Sequence, residues 1–496
     1  MLALAAALAG SIALDVLVRP RPDFSTSQYH RSLTGLWLHT LLILAAFGVF
    51  LGVTGNDIAS AVVVLALMTL LLVVSNAKNR MLGEPLLFSD LFLIAAVFRH
   101  PQFYLSALRA WQRLALAGGA VATLAILARQ LIWLPAPHMI GLSMAAGGLV
   151  VLRFTLRAAP FRAIMTEPDA DVDVRRHGLL PTLFVYWSRW RDSEDPPAIP
   201  PAQRHRDPAI EPPDIVVVVQ CESFADPAHL FDNPSLELRG LAAARATAWQ
   251  SGRLHVSGFG AYTMRTEYGL LFGRSEEALG FRRYDPFLTA MGETSHALPN
   301  RLSAMDWRSL FLHPHDMRFY GRDRIMPRSG FAELLDEDGF AAPAPGEGRY
   351  VTDAAMAAEI VAQARNASAR TLLYAVTIEN HGPWTADKDP IGEDGDGLSG
   401  ALVRRYLHLV RNSDAMLQTL MAKLAMLGRP AMLVFFGDHR PSIPGVSIPG
   451  GDRHTPYVMV RFDAEGRSLR RRLSDRDMTP AELHHSIVSV ISGSDG

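Results

Sequence analysis

Cysteine is almost missing from this chain: Cys221 is the only one in 496 residues. An intramolecular disulfide is therefore impossible, and a zinc site built on thiolates is not expected. Folding outside the cytoplasm stays open, but it would rest on core packing and metal rather than on cross-links. Lysine is scarce too, with Lys78, Lys388 and Lys423 against an otherwise arginine complement, a hint of a GC-rich bacterial genome. Neither sign of charge is in excess, 48 basic against 49 acidic residues. That balance, with no basic stripe interleaved with aromatics, argues against a nucleic-acid partner. No internal repeat is evident, and the length exceeds one ordinary core, so two or more folding units are expected.

What the chain has in plenty is apolar residues, concentrated before about residue 156, and its mean hydropathy is positive at +0.12. Five stretches, 1–18, 36–53, 58–74, 114–134 and 139–154, approach the ~20 apolar residues needed to cross a bilayer, the last being short. The first lacks the basic start of a cleaved signal peptide and is followed by more spans, so it reads as a retained anchor. Between the third and fourth lies NAKNRMLGEPLLFSDLFLIAAVFRH, whose apolar core, 91–98, is too short to cross and is broken upstream by Pro85 and Asp90. It reads as a re-entrant or interfacial segment, with a sixth short span as the alternative. The basic residues Arg19, Arg21, Lys78, Arg80, Arg109 and Arg113 lie in loops that the positive-inside rule assigns to the cytoplasm. Five spans then leave the C-terminal part in the cytoplasm, whereas six place it outside.

After the spans, GLLPTLFVYWSRWRD at 178–192 mixes aromatics with arginine, as in a helix lying in the membrane interface or one packed on a soluble domain. DPPAIPPAQRHRDPAIEPPD at 195–214 reads as a stiff, extended spacer. The expected division is a transmembrane domain at 1–156, an interfacial helix and Pro-rich linker at 157–213, and a catalytic domain at 214–496.

From Asp214 onward short apolar runs alternate with helical stretches, the pattern of an α/β sheet. Residues 401–427 show apolar residues at near-helical spacing, ended by Gly428 and Pro430. Three runs, VVVVQCESF, AVTIENHGPW and MLVFFGDH, each stop at polar or ionisable groups, as strands do whose C-terminal ends carry a site. Glu222 follows such a run, so its carboxylate is either a satisfied buried group or bound to a cation. Asp438 and His439 end another, and adjacent O and N ligands suit a divalent ion such as Mn or Mg. Thr263 sits in the Gly-rich SGFGAYTMRTEYGLLFG, where a hydroxyl activated by metal coordination can act as a nucleophile. Thr266 is its local rival, and a helix N-cap is the role expected for it. His381 could protonate a leaving alkoxide or hold a phosphate oxygen, or be purely structural.

Taken together, CESF, GAYTMRTEY, HPHDMRFYGRD, IENHGPW and FFGDH resemble the lipoteichoic acid synthase and phosphoglycerol transferase family, within the alkaline phosphatase and sulfatase superfamily. The resemblance extends over the whole chain, EPLLFSDLF included. It implies an N-terminal polytopic α-helical membrane domain followed by an α/β sulfatase-like catalytic domain. It places Glu222, Thr263, Asp438 and His439 on the metal ligands, Thr263 also on the nucleophile, and His381 near the phosphate. His313 and Arg322 fall on groups that bind the phosphoglycerol head, and Tyr320 falls where other members carry Trp, a departure that keeps an aromatic wall. The implied cofactor is one divalent metal, Mn2+ or Mg2+. The implied partners are the membrane, a phosphatidylglycerol donor and a glucan or polyglycerolphosphate acceptor.

The same resemblance implies a multi-pass protein of a bacterial inner membrane with five spans, a cytoplasmic N-terminus and a catalytic domain on the periplasmic face. This conflicts with the charge reading and is preferred to it, because lipid donor and glycan acceptor meet outside. Periplasmic glucan modification is the expected activity. The alternatives are lipoteichoic acid synthesis, a phosphoethanolamine transferase, a sulfatase-type hydrolase and a non-enzymatic scaffold. The C/S-x-P-x-R motif of sulfatases is lacking at the nucleophile, and disulfide-bearing phosphoethanolamine transferases are excluded by the single cysteine. A scaffold would have no need for all four metal-site residues.

Overall fold

The computed structural model describes residues 2–21, 31–92, 110–205, 211–344, 347–384, 400–443, 446–471 and 475–494. The chain forms two compact units, Met1–Ser193 and Glu194–Gly496.

The first unit is helical, with long helices at Leu2–Val16, Leu33–Thr54, Asp57–Leu82, Ala110–Gln130 and Pro135–Arg157. Their ends follow local chemistry. Ser32 accepts the Gly35 N–H and Asn56 accepts those of Ile58 and Ala59, while Gly55 and Gly83 close helices in the left-handed region. Leu33–Thr54 and Pro135–Arg157 meet backbone to backbone, since a Cβ on Gly141 would lie 2.2 Å from the Gly52 nitrogen. Among the described residues, Leu33–Thr54, Asp57–Leu82 and Pro135–Arg157 are long and apolar enough to cross a membrane. Leu2–Val16, on the first expected span, has 15 residues and at ~1.5 Å per residue falls short of the ~30 Å hydrocarbon layer.

In the segment expected to be re-entrant, Lys78 pairs with Glu84 at 3.3 Å and Asp90 at 2.5 Å, and Phe88–Phe92 is a short helix. Most of its apolar core lies outside the described residues, as does Arg109. The aromatic segment forms the helix Leu179–Arg191, which packs within the first unit: Leu179 and Leu183 join Val18, Leu86 and Val174.

The second unit is built on an eight-stranded sheet of β1 (Ile215–Cys221), β2 (Gln250–Leu254), β3 (Trp307–Leu312), β4 (Glu333–Leu335), β5 (Arg370–Val376), β6 (Ala431–Gly437), β7 (Thr455–Phe462) and β8 (Ser468–Leu469). The order is β2-β7-β6-β1-β5-β3-β4, with β8 beside β7. β1 lies between β5 and β6 and pairs parallel with both, and all seven of its residues are buried. That position explains a valine run with no polar alternation. β7 runs antiparallel to both β6 and β2.

Helices Arg239–Thr247, Asp353–Asn366 and Ala401–Leu424 contribute Leu241, Ile360, Tyr406, Leu417 and Leu420 to one core with alternate residues of β1. The last of these helices stops at Leu424, three residues before the expected end. Register places Cys221 opposite Gly437 and Gln220 opposite Val376, so the residues that follow β1, β5 and β6 emerge together at one edge.

The expected spacer is, up to residue 205, part of this unit rather than a free linker. Ile199 donates to Ser295 Oγ at 3.2 Å, Ala202 to the Arg301 carbonyl at 2.8 Å and His205 to the Ser492 carbonyl at 2.7 Å. Prolines cannot donate, but the residues between them can, and each of these finds an acceptor on the unit. Residues 206–210 of the spacer lie outside the described ones.

Candidate metal and active site

Glu222 and Asp438 leave β1 and β6 at neighbouring positions of the sheet edge, and His439 follows Asp438. His439 Nε2 lies 3.5 Å from both Glu222 Oε1 and Asp438 Oδ2. The ligand-capable atoms of these three buried residues lie within 4.8 Å of one another. Thr263 completes the group, its hydroxyl donating to Asp438 Oδ2 at 2.8 Å. Tyr262, at φ 76°, turns the chain so that Thr263 opens the helix Thr263–Phe272. Thr266 is therefore inside that helix and not its N-cap, which overturns the expectation for it. Its hydroxyl donates to the Asp438 carbonyl at 2.7 Å and fixes the strand end instead.

Backbone N–H groups and a neighbouring hydroxyl hold the two carboxylates. Asp438 Oδ1 accepts the N–H groups of Ser223 and His439, each at 2.8 Å. Ser223 Oγ donates to Glu222 Oε1 at 2.9 Å, and the Glu222 N–H donates to Thr377 Oγ1 at 3.0 Å. Burial, then the charge of Asp438, pushes the Glu222 carboxyl well above its usual range. Two buried carboxylates this close need a compensating cation or proton. Carboxylate, imidazole and hydroxyl donors together fit a divalent ion, and Glu222, Thr263, Asp438 and His439 are the residues that would hold it.

Beside this group runs a second buried line. Arg322 grips Glu267 with both arms, Nη2 to Oε2 at 2.6 Å and Nε to Oε1 at 3.1 Å, and its Nη1 lies 3.2 Å from His313 Nε2. Burial works against the guanidinium charge, but Glu267 outweighs it and holds Arg322 charged. His313 Nδ1 lies 3.0 Å from the Val376 carbonyl, so Nδ1 carries the proton and Nε2 accepts from Arg322. Burial, then Arg322, lowers the His313 pKa well below its usual value, in agreement with a neutral ring. Tyr320 lays its ring 5.2 Å from the Arg322 guanidinium carbon. His381 Nδ1 is 2.6 Å from the Gly382 carbonyl, and burial lowers its pKa to about 4. It is thus neutral at pH 7, with its lone pair on Nε2.

The sulfatase family model matches residues 214–493. The chain belongs to the sulfatase family. The resemblance to the alkaline phosphatase and sulfatase superfamily drawn from the five motifs holds. Capsular polysaccharide biosynthesis protein RkpI of Rhizobium meliloti is 29% identical over 463 residues, 88% of this chain and 84% of that protein. A putative cyclic beta-1,2-glucan modification protein of the same organism is 25% identical over 273 residues, 54% of this chain and 41% of that protein. Among solved structures, the integral membrane lipooligosaccharide phosphoethanolamine transferase A of Neisseria meningitidis is similar in fold. Its TM-score is 0.57 at 14% identity, over 99% of this chain and 94% of that one. Apolar helices followed by a mixed α/β sulfatase-like domain are thus an arrangement that the two share.

Within this sulfatase-family site, sequence reasoning missed Glu267, Ser223 and Thr377. Glu267 had a usable signal, because it lies four residues after Thr263 and so shares its helix face. Ser223 and Thr377 had none, since their roles depend on which strands become neighbours.

Proposed function

We propose that this chain is a metal-dependent phosphotransferase that moves glycerophosphate from phosphatidylglycerol to a hydroxyl of a glycan, through a phospho-threonine at Thr263. The observation that carries the reading is the Thr263 hydroxyl, buried and aimed at Asp438 beside Glu222 and His439. Support for a glycan acceptor comes from the relatives named for capsular polysaccharide biosynthesis and cyclic glucan modification; periplasmic glucan is the preferred form. Mn2+ or Mg2+ in this site would lower the hydroxyl pKa of Thr263 and stabilise charge on the phosphoryl oxygens.

In the first half-reaction the Thr263 oxygen bonds to phosphorus and the bond to the diacylglycerol oxygen breaks. The Thr263 proton, directed at Asp438 in the resting site, is the one that the diacylglycerol oxygen finally carries. In the second, an acceptor oxygen bonds to phosphorus, the bond to Thr263 breaks, and the acceptor's proton returns to Thr263. His381, neutral with its lone pair on Nε2, suits the relay of that proton. Arg322, paired with Glu267 and in contact with the Tyr320 ring, is assigned in this reading to offset charge on the phosphoryl oxygens, with Tyr320 as the aromatic wall for the glycerol.

The test is purified full-length protein with Mn2+ and headgroup-labelled phosphatidylglycerol. Diacylglycerol release with label trapped on the protein is expected, and Thr263→Ala should reduce it by at least about a thousandfold. Unchanged release by Thr263→Ala would overturn the covalent route. Release from phosphatidylethanolamine in preference to phosphatidylglycerol would overturn the donor.

A further inference from the structure

Next to the metal cluster, on the same edge of the sheet, lies a cavity of about 190 Å3 that the transfer reaction does not use. Arg253 reaches it from the C-terminal end of β2, His454 from the start of β7, Arg440 from the loop after β6, and Arg245 from the helix Arg239–Thr247. His229 closes one side, its ring 4.8 Å from that of His454. The cavity is smaller than the ~300 Å3 at which pockets for drug-sized ligands begin, so the occupant is a small group.

Its charge is positive. Arg245 is paired with Asp226 at 2.8 Å and Arg440 with Asp452 at 3.1 Å, whereas among the described residues the Arg253 guanidinium makes no hydrogen bond or ion pair. His229, Asp452 and His454 could by spacing hold a metal ion. Arg440 argues against that, because its Nη2 lies 3.2 Å from both ring nitrogens of His454 and also holds Asp452. A cation there would have to displace a guanidinium, whereas an anion would be drawn to it. Guanidinium groups arriving from three separate elements suit an acceptor with oxygens in several directions, a phosphoryl group, better than a planar carboxylate met by one fork.

We propose that this cavity is a second phosphate-binding subsite, taking the phosphoryl group of a phosphate ester. Arg440 links it to the metal cluster, since its carbonyl lies 3.1 Å from His439 Nδ1 and so sets the ring that aims Nε2 at Glu222 and Asp438. The binding claim stands apart from the transfer reaction and is measured without turnover.

The experiment is equilibrium dialysis of metal-loaded full-length protein in detergent against labelled inorganic phosphate. Compared with the unaltered protein, Arg253→Gln should weaken one site about tenfold or more, and Arg253→Lys should restore most of it. Arg253 is exposed and its side chain holds nothing in place, so the variant should fold; Arg245→Gln is the second variant and should act in the same direction. Unchanged phosphate binding in both Gln variants would overturn the proposal. So would a second bound Mn2+ that disappears in His454→Ala. Competition identifies the source: displacement by glycerol phosphate but not by phosphatidylglycerol nanodiscs marks a soluble ester, and the reverse marks a lipid headgroup. Displacement by neither would overturn the assignment to phosphate esters.

Discussion

Glu267 and Arg322 show how much of this site depends on charges that never meet water. Arg322 is 1% exposed, and Glu267 is its sole ion-pair partner in the described structure. Removing one member of such a pair strands the other, which costs about 3–5 kcal/mol, more than the ~1 kcal/mol typical of a point substitution. Glu267→Gln should therefore lower the melting temperature by several degrees and misplace Arg322, while Glu267→Gln with Arg322→Met should melt higher than the single variant. A single variant that melts with the parent would show that the pair holds nothing. A different buried carboxyl gives a pH signature. Asp353, buried beside Glu379 and bonded by Ser413 Oγ at 2.6 Å, has its pKa pushed up to about 8, chiefly by burial and then by the Glu379 charge. A carboxyl raised in the folded state stabilises the fold fully below its unfolded value of about 4, and that contribution is lost as pH climbs through about 8. Thermal melts from pH 6 to 9 should fall, and Asp353→Asn should flatten the decline; an equally steep decline in the variant would assign it to other groups. Of these groups Arg322 was named from the sequence and Glu267 shares the Thr263 helix face, but neither their pairing nor the burial of Asp353 was legible, because a carboxyl reads as buried and paired only once the strands and helices around it are placed.

At the scale of elements, the site exists because β1 and β6 end together. Gly437 is what lets them: a Cβ there would lie 1.9 Å from the Phe224 carbonyl oxygen, a clash with backbone that cannot swing away. Gly437→Ala should separate the strand ends that carry Glu222 and Asp438, costing about 1–3 kcal/mol and weakening Mn2+ binding in a metal titration, even though no ligand is altered. Retained affinity would mean that the loops, not the strand ends, set the metal site. The valine run of β1 and the VFFGDH end of β6 were readable because a strand buried on both faces has no polar alternation. The start of the Thr263 helix was not, since Thr266 followed by Glu267 imitates a cap and only the left-handed turn at Tyr262 places the helix four residues earlier. β7 and β2 run antiparallel to their neighbours. Nothing in their local composition marks them apart from the parallel strands.

For the whole molecule, the two units divide at Ser193 and Glu194, and the Pro-rich residues up to 205 belong to the catalytic side. A cut within those prolines would strip Ile199, Ala202 and His205 of their acceptors on the unit, so it would mix loss of tethering with loss of structure. A protease site between Ser193 and Glu194 separates the two effects. If the apolar helices serve to keep the Thr263 site beside a lipid donor, cleavage turns an intramolecular encounter into a bimolecular one and forfeits the effective concentration of a tether, on the order of millimolar for short linkers. Turnover of phosphatidylglycerol should then fall by about tenfold or more, while hydrolysis of a soluble phosphodiester such as bis(p-nitrophenyl) phosphate should keep its rate, because its donor never depended on the membrane. Equal losses on both substrates would mean that cleavage damages the site itself. No loss on either would mean that the catalytic unit reaches lipid by its own surface, and the helices would need another reason to be joined to it.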